Sequence, residues 1–166
     1  MQQIIEAVGE FDPIAFDYPV NIIGCGGIGS RIAEGITRMG IGIMRHSPIQ
    51  LYDPVFFKNH DLYHAWAYSE DPWKPKARVI GEQMQAINPE IVVTPHTENA
   101  GSDSALRGVV FVCVSNLSTS KTLVEAVLGN APGISCVIET RILPHGIGSY
   151  CFNPRVALQQ ERWLEY

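Results

Sequence analysis

The chain has 166 residues, of which 46% are hydrophobic and 17% charged, and its formal net charge is -5. This length supports one domain with a sizeable core, and the composition is too apolar for a disordered chain. An acidic balance with no Lys/Arg run argues against nucleic acid as the main partner, and no apolar run approaches the length of a membrane span.

In chain order, the opening "MQQIIEAVGEFDP" is acidic and has neither a basic region nor a long apolar run. It predicts no secretory leader and a cytoplasmic protein. Residues 1–18 read as a lead-in of extended character. Val20–Ile23 is predicted as a β-branched strand, and Ile28–Met39 as a helix with Ile28, Ile32, Ile36 and Met39 on one face. Gly40 and Gly42 mark its end. Ile49–Tyr52 is a second strand, followed by a loop from Asp53 to Pro75 that is long enough to be functional or mobile.

Lys76–Ile87 is predicted helical, introduced by Pro75 and closed by Asn88-Pro89. Ile91–Thr94 is a third strand, and Ser102–Arg107 a short helix. Val109–Val114 is apolar enough for a strand covered on both faces. A helix over Ser118–Leu128, strands over Cys136–Thr140 and Ser149–Phe152, and an aromatic tail "ERWLEY" complete the chain. Strands alternating with helices predict an α/β fold: a Rossmann-like, doubly wound, mostly parallel sheet with helices on both faces. Cys25, Cys113, Cys136 and Cys151 form no C-x-x-C pair and read as reduced, buried thiols.

The first strand runs into "GCGGIGS", with Gly24, Gly26 and Gly29 at the spacing of a phosphate-binding turn. The first glycine permits the turn, the second lets backbone approach a phosphate, and the third lets the helix pack close to the strand. The helix then presents free N–H groups and its positive dipole end to the anion. Asp53 falls where a dinucleotide fold places its ribose carboxylate, about 20 residues further on, so NAD is one candidate ligand.

Other residues point to ATP. Gly27 doubles the central glycine and Ser30 follows the last one. Further along come "DPVFFKN", "PKARVIGEQMQAINPEIVV" and "VVFVCVSN". Together these resemble the ThiF/MoeB/HesA family, relatives of the ubiquitin-activating enzymes, from about Pro19 to Pro154. The resemblance implies a nucleotide-binding domain over 19–154, with a tail over 155–166. It implies ATP, the Mg2+ that neutralises a triphosphate, and adenylation of the C-terminal carboxylate of a small ubiquitin-like or sulfur-carrier protein. It also implies a homodimer, or a heterodimer with a family member, an expectation the aromatic tail supports.

The nucleotide-binding residues expected from this resemblance are Gly24, Gly26, Gly27, Gly29, Ser30, Asp53, Asn59, Lys76, Ser115 and Asn116, with Lys76 also the catalytic cation. A lysine at a helix start opposes the dipole, which makes sense beside an anion. Two loop registers stay open. Anchoring on "D-x-V" aligns Asn59 with a family asparagine and puts Leu51 in the ribose position. Anchoring on the strand end gives that position to Asp53. In either register the family's loop arginine is absent, with Leu62 or His64 in its place. Ser115 stands where the family has its magnesium aspartate, and Ser120 where it has a further arginine. Each lost donor costs about 2.7–4 kcal/mol of barrier in sites of this kind. His60 and His64 flank Asp61 in the loop, and such histidines are more often solvated or hydrogen-bonded than metal ligands. Arg141 matches another family arginine, and reads equally as a salt-bridge partner. Three functions remain open: an adenylating enzyme, a binding or regulatory subunit that keeps the fold, and, last, an NAD-dependent dehydrogenase.

Overall fold

Four buried residues, with apolar side chains on both faces, make β1 (Val20–Ile23) a strand covered on both sides. Val20 and Ile22 enter one core and Ile23 the other. A computed structural model describes residues 15–44, 47–129, 131–143 and 145–164, so most of the expected lead-in over 1–18 lies outside the described residues. After β1 come α1 (Gly27–Arg38), β2 (Ile49–Tyr52), α2 (Lys76–Ile87), β3 (Val93–His96), β4 (Gly108–Val112), α3 (Leu117–Gly129), β5 (Ile134–Leu143), β6 (Gly146–Phe152) and α4 (Ala157–Leu164). Short 3-10 turns occupy Asn59–Tyr63, Ser102–Ser104 and Ala131–Gly133.

The sheet order is β3-β2-β1-β4-β5-β6, parallel throughout except for the antiparallel pair β5–β6. The α/β, mostly parallel architecture is the expected one. The chain winds outward from β1 to β3, then crosses back to place β4 on the other side of β1. A crevice opens beyond the carboxyl ends of β1 and β4, where ligands of open α/β sheets bind.

Two apolar cores sandwich the sheet. One joins β1 and β2 to Ala33 and Ile36 of α1, to Ala77, Ile80 and Met84 of α2, and to Phe57, Ala65 and Trp66 of the crossover loop. The other joins β4 and β5 to Leu123, Val124 and Val127 of α3 and to Trp163 of α4.

Several expectations need correction. The third strand is shifted to Val93–His96, so that Pro95 lies within it. Proline is tolerated there because β3 is the edge strand. The expected helix over Ser102–Arg107 is one 3-10 turn, ended by Ala105 in the left-handed region at φ 45°. The loop from Asp53 to Pro75 has structure of its own. Asp61 closes the turn by accepting from the Lys58 N–H, Asp71 accepts from the Tyr68 N–H, and Ser30 Oγ accepts from the Trp66 N–H.

β5 is twice the expected length because Ile134 pairs with Gly108 of β4 at its start and β6 pairs with it from Val137 to Leu143. The aromatic tail contains a helix whose Trp163 is buried and stacks on Phe152 at 5.7 Å between ring centroids. Trp163 therefore packs within its own chain, which removes its support for a dimer. Cys25 and Cys113 are buried as expected, but Cys136 is only partly so and Cys151 is exposed. Those two sulfurs face each other at 3.3 Å across β5 and β6.

Candidate nucleotide site

At the end of β1 the chain must turn sharply beneath β4. Gly24 does so at φ 94°, and a Cβ there would lie 2.8 Å from the Cys113 carbonyl oxygen. Its N–H donates to the Tyr52 carbonyl, while the Cys113 N–H donates to the Ile23 carbonyl. These bonds tie the ends of β1, β2 and β4 together. Gly29 lets α1 pack onto this turn, since a Cβ there would meet the Gly24 carbonyl oxygen. Gly26 is different. A Cβ there would meet nothing within 4 Å, so its backbone faces open space. No side chain caps α1 and no acidic residue sits in its first turn. The first N–H groups of the helix are left to face the cavity.

That cavity has a volume of about 710 Å3. The glycine turn, the end of β2, the crossover loop, the start of α2 and the end of β4 converge on it. Among the expected residues, Gly24, Gly26, Gly27, Asp53, Lys76, Ser115 and Asn116 line it. Gly29 serves helix packing, and two others go elsewhere. Ser30 is fully buried and its hydroxyl accepts from the Trp66 N–H, so it fastens the crossover loop to α1. Asn59 is exposed at the start of the 3-10 turn.

The strand end fixes the loop geometry. Leu51 is fully buried in the first core, whereas Asp53 follows β2 directly and lines the cavity. Asp53 Oδ2 accepts from the Cys25 N–H at 2.7 Å and Oδ1 from the Val55 N–H at 2.8 Å. Each carboxylate oxygen keeps a further lone pair for a hydroxyl donor. Asn116 Oδ1 accepts from the N–H groups of Ser118 and Thr119 and from the Ser118 hydroxyl, capping α3.

Lys76 extends from the start of α2 with its ammonium 5.5 Å from the Phe57 ring centre. Its Nζ donates to Asp61 Oδ1 at 2.9 Å. Burial pushes the Asp61 carboxyl up, but the hydrogen bonds from Lys76 and the Lys58 N–H outweigh it and hold it below the usual carboxylate range. Asp61 was visible in the sequence only as the residue between two histidines. A pair fifteen positions apart across an aperiodic loop leaves no spacing signal. His64 approaches the same Asp61 oxygen at 3.5 Å.

Arg141 also lines the cavity, and its guanidinium forks onto buried Glu139 at 2.9 and 2.6 Å. Ser120, expected in the place of an arginine, donates its hydroxyl to Glu139 Oε1. Trp163 donates to Oε2 at 2.7 Å. Burial raises the Glu139 carboxyl, and these donors more than reverse that, leaving it below its ordinary range. Burial pushes the Cys113 thiol up to about 12 and the Cys25 thiol well above its usual range, so neither is a thiolate at neutral pH.

The open glycine turn, the free helix start and Lys76 fit an anionic nucleotide. The side chains do not assemble a Mg2+ site of their own. Ser115 replaces the expected aspartate, Asp53 and Asp61 hold protein donors, and among the described residues no three His, Cys, Asp or Glu side chains group as a metal site. Among the described residues, no helix is long and apolar enough to cross a membrane.

Comparison with known proteins agrees with this architecture. The model of the ThiF family matches residues 15–129, from before β1 to the end of α3. No curated protein matches the chain.

Proposed function

Since the chain belongs to the ThiF family, we propose that it binds ATP in the crevice beyond β1 and β4 and adenylates the C-terminal carboxylate of a small ubiquitin-like or sulfur-carrier protein. The observation that carries this reading is the convergence of Gly26, Asp53 and Lys76 on one cavity. In the reaction a carboxylate oxygen of the carrier attacks the α-phosphorus of ATP. The bond from that phosphorus to the bridging oxygen breaks, and pyrophosphate leaves with the electron pair. The free N–H groups of α1 receive phosphate oxygens, and Asp53 accepts from the ribose. Lys76 uses one of its three N–H donors on Asp61, and the other two are available to the phosphates.

ATP–pyrophosphate exchange with candidate carrier proteins tests the reaction. Exchange is expected for the wild type. Lys76→Ala should weaken ATP binding by about 10- to 150-fold, the value of a charge-assisted hydrogen bond. ATP binding without exchange for any carrier would favour a second reading, a binding or regulatory subunit. Ser115 at the cavity wall and the commitment of Lys76 to Asp61 support that alternative. Unchanged affinity in Lys76→Ala would remove the lysine from the site.

A further inference from the structure

The family's loop arginine has no sequence counterpart here, and the two positions open to it diverge in space. Leu62 does not line the cavity, whereas His64 does. His64 ends the 3-10 turn Asn59–Tyr63 and lies over the first turn of α1. A Cβ placed on Gly27 would sit 3.0 Å from its Cδ2 atom. Its Nε2 lies 3.5 Å from the same Asp61 oxygen that receives Lys76, and its side chain is half exposed, so the ring edge is open to a ligand.

We propose that His64, in its protonated form, takes the place of the missing arginine and binds the phosphates of the nucleotide, so that ATP binding takes up a proton. The proposal rests on the ATP-binding reading above and deepens it.

Charge balance in the cavity supports it. Facing His64 on its own turn are Asp61 and the His60 ring, 6.4 Å away. Lys76 of α2 and Asp53 at the end of β2 line the same cavity. Arg141 of β5 is matched by Glu139, and Arg31, further along α1, by Glu34. With both histidines neutral, the one cation of Lys76 meets the two carboxylates of Asp53 and Asp61, and Arg141 cancels Glu139. The wall is then net negative where a polyphosphate must bind. Histidine is the side chain that can change this near neutral pH, because it gains a charge between pH 5 and 8. A phosphate at the start of α1 would stabilise that charge directly.

The test is titration calorimetry of the whole chain with ATP and with adenosine, from pH 6 to 8.5. Buffers of different ionisation enthalpy report the protons taken up. Wild type is expected to take up a fraction of a proton with ATP at pH 7.5, and less with adenosine. His64→Gln should lose that uptake and bind ATP about tenfold more weakly at pH 6, with adenosine affinity unchanged. His64→Arg should keep tight ATP binding and lose the uptake. ATP binding with the same affinity and uptake in His64→Gln would overturn the role of His64 and leave the nucleotide reading intact. If wild type binds no ATP at any pH, the nucleotide reading itself fails. ATP binding by wild type with no proton uptake at any pH in this range would overturn the proposal without recourse to a variant.

Discussion

At the scale of single residues, the three glycines of the turn have separable duties. Gly24 and Gly29 are spaces the backbone itself requires, whereas Gly26 is space left open. Gly24→Ala places a side chain at φ 94° against the Cys113 carbonyl. It should lower stability by about 1–3 kcal/mol, the usual cost of a residue held in a sparsely populated backbone region. Gly26 has φ -79°, which alanine adopts freely. Gly26→Ala should therefore leave stability within about 0.5 kcal/mol, as for a surface substitution, while narrowing the approach of a phosphate. Chemical denaturation and ATP titration of the two variants check this. Equal ATP affinity in folded Gly26→Ala would remove that glycine from the site. The glycines, Asp53 and Lys76 were legible in the sequence because each belongs to a local pattern at a strand end or helix start. The structural roles of Asp61, Ser30 and Glu139 were not. Their partners Lys76, Trp66 and Trp163 lie 15, 36 and 24 positions away, and only the fold brings them together.

At the scale of elements, regular segments with a clear apolar face could be read closely, and segments defined by their neighbours could not. β1, β2 and α2 fall where expected because burial on one or both sides leaves a pattern in four to twelve residues. β5 was read short at its far end because Arg141 looks like a surface charge in isolation. In the fold Glu139 is buried and joins three elements, accepting from Ser120 of α3, Arg141 of its own strand and Trp163 of α4. This arrangement has a pH signature. Glu139 and Asp61 are both held below the ordinary carboxylate range in the folded chain. They contribute stability that is fully present above the unfolded values of about 4 and lost as pH falls through the lower folded values. Denaturation midpoints should be flat near neutrality and fall in acid. Glu139→Gln should flatten part of that acid limb and cost about 3–5 kcal/mol at neutral pH, because it breaks a buried ion pair. An acid limb identical to wild type would show that Glu139 titrates alike in the folded and unfolded chain.

At the scale of the whole molecule, the crevice is where the two cores meet. The first core supplies α1, α2 and the crossover loop, and the second supplies α3 and the far strands. They share the central strands, with Ile22 in one core and Ile23 in the other. Neither half can unfold without exposing the other's face of the sheet, so one cooperative transition is expected. A ligand in the crevice touches structure that depends on both halves. It is therefore linked to global unfolding rather than to local fraying. Binding to the folded state alone contributes about 2.7 kcal/mol when ATP is at 100 times its dissociation constant. For a chain of this size each kcal/mol moves the midpoint by about 2–4 °C. Thermal unfolding monitored by circular dichroism should thus show a single transition that rises by about 5–11 °C at that ATP concentration, with further rises logarithmic in ATP. Splitting into two transitions, only one of them moved by ATP, would show that the halves unfold separately and that the site belongs to one of them. A single transition that stays fixed at an ATP concentration where calorimetry records saturation would place the ligand on a surface that survives unfolding, away from the crevice.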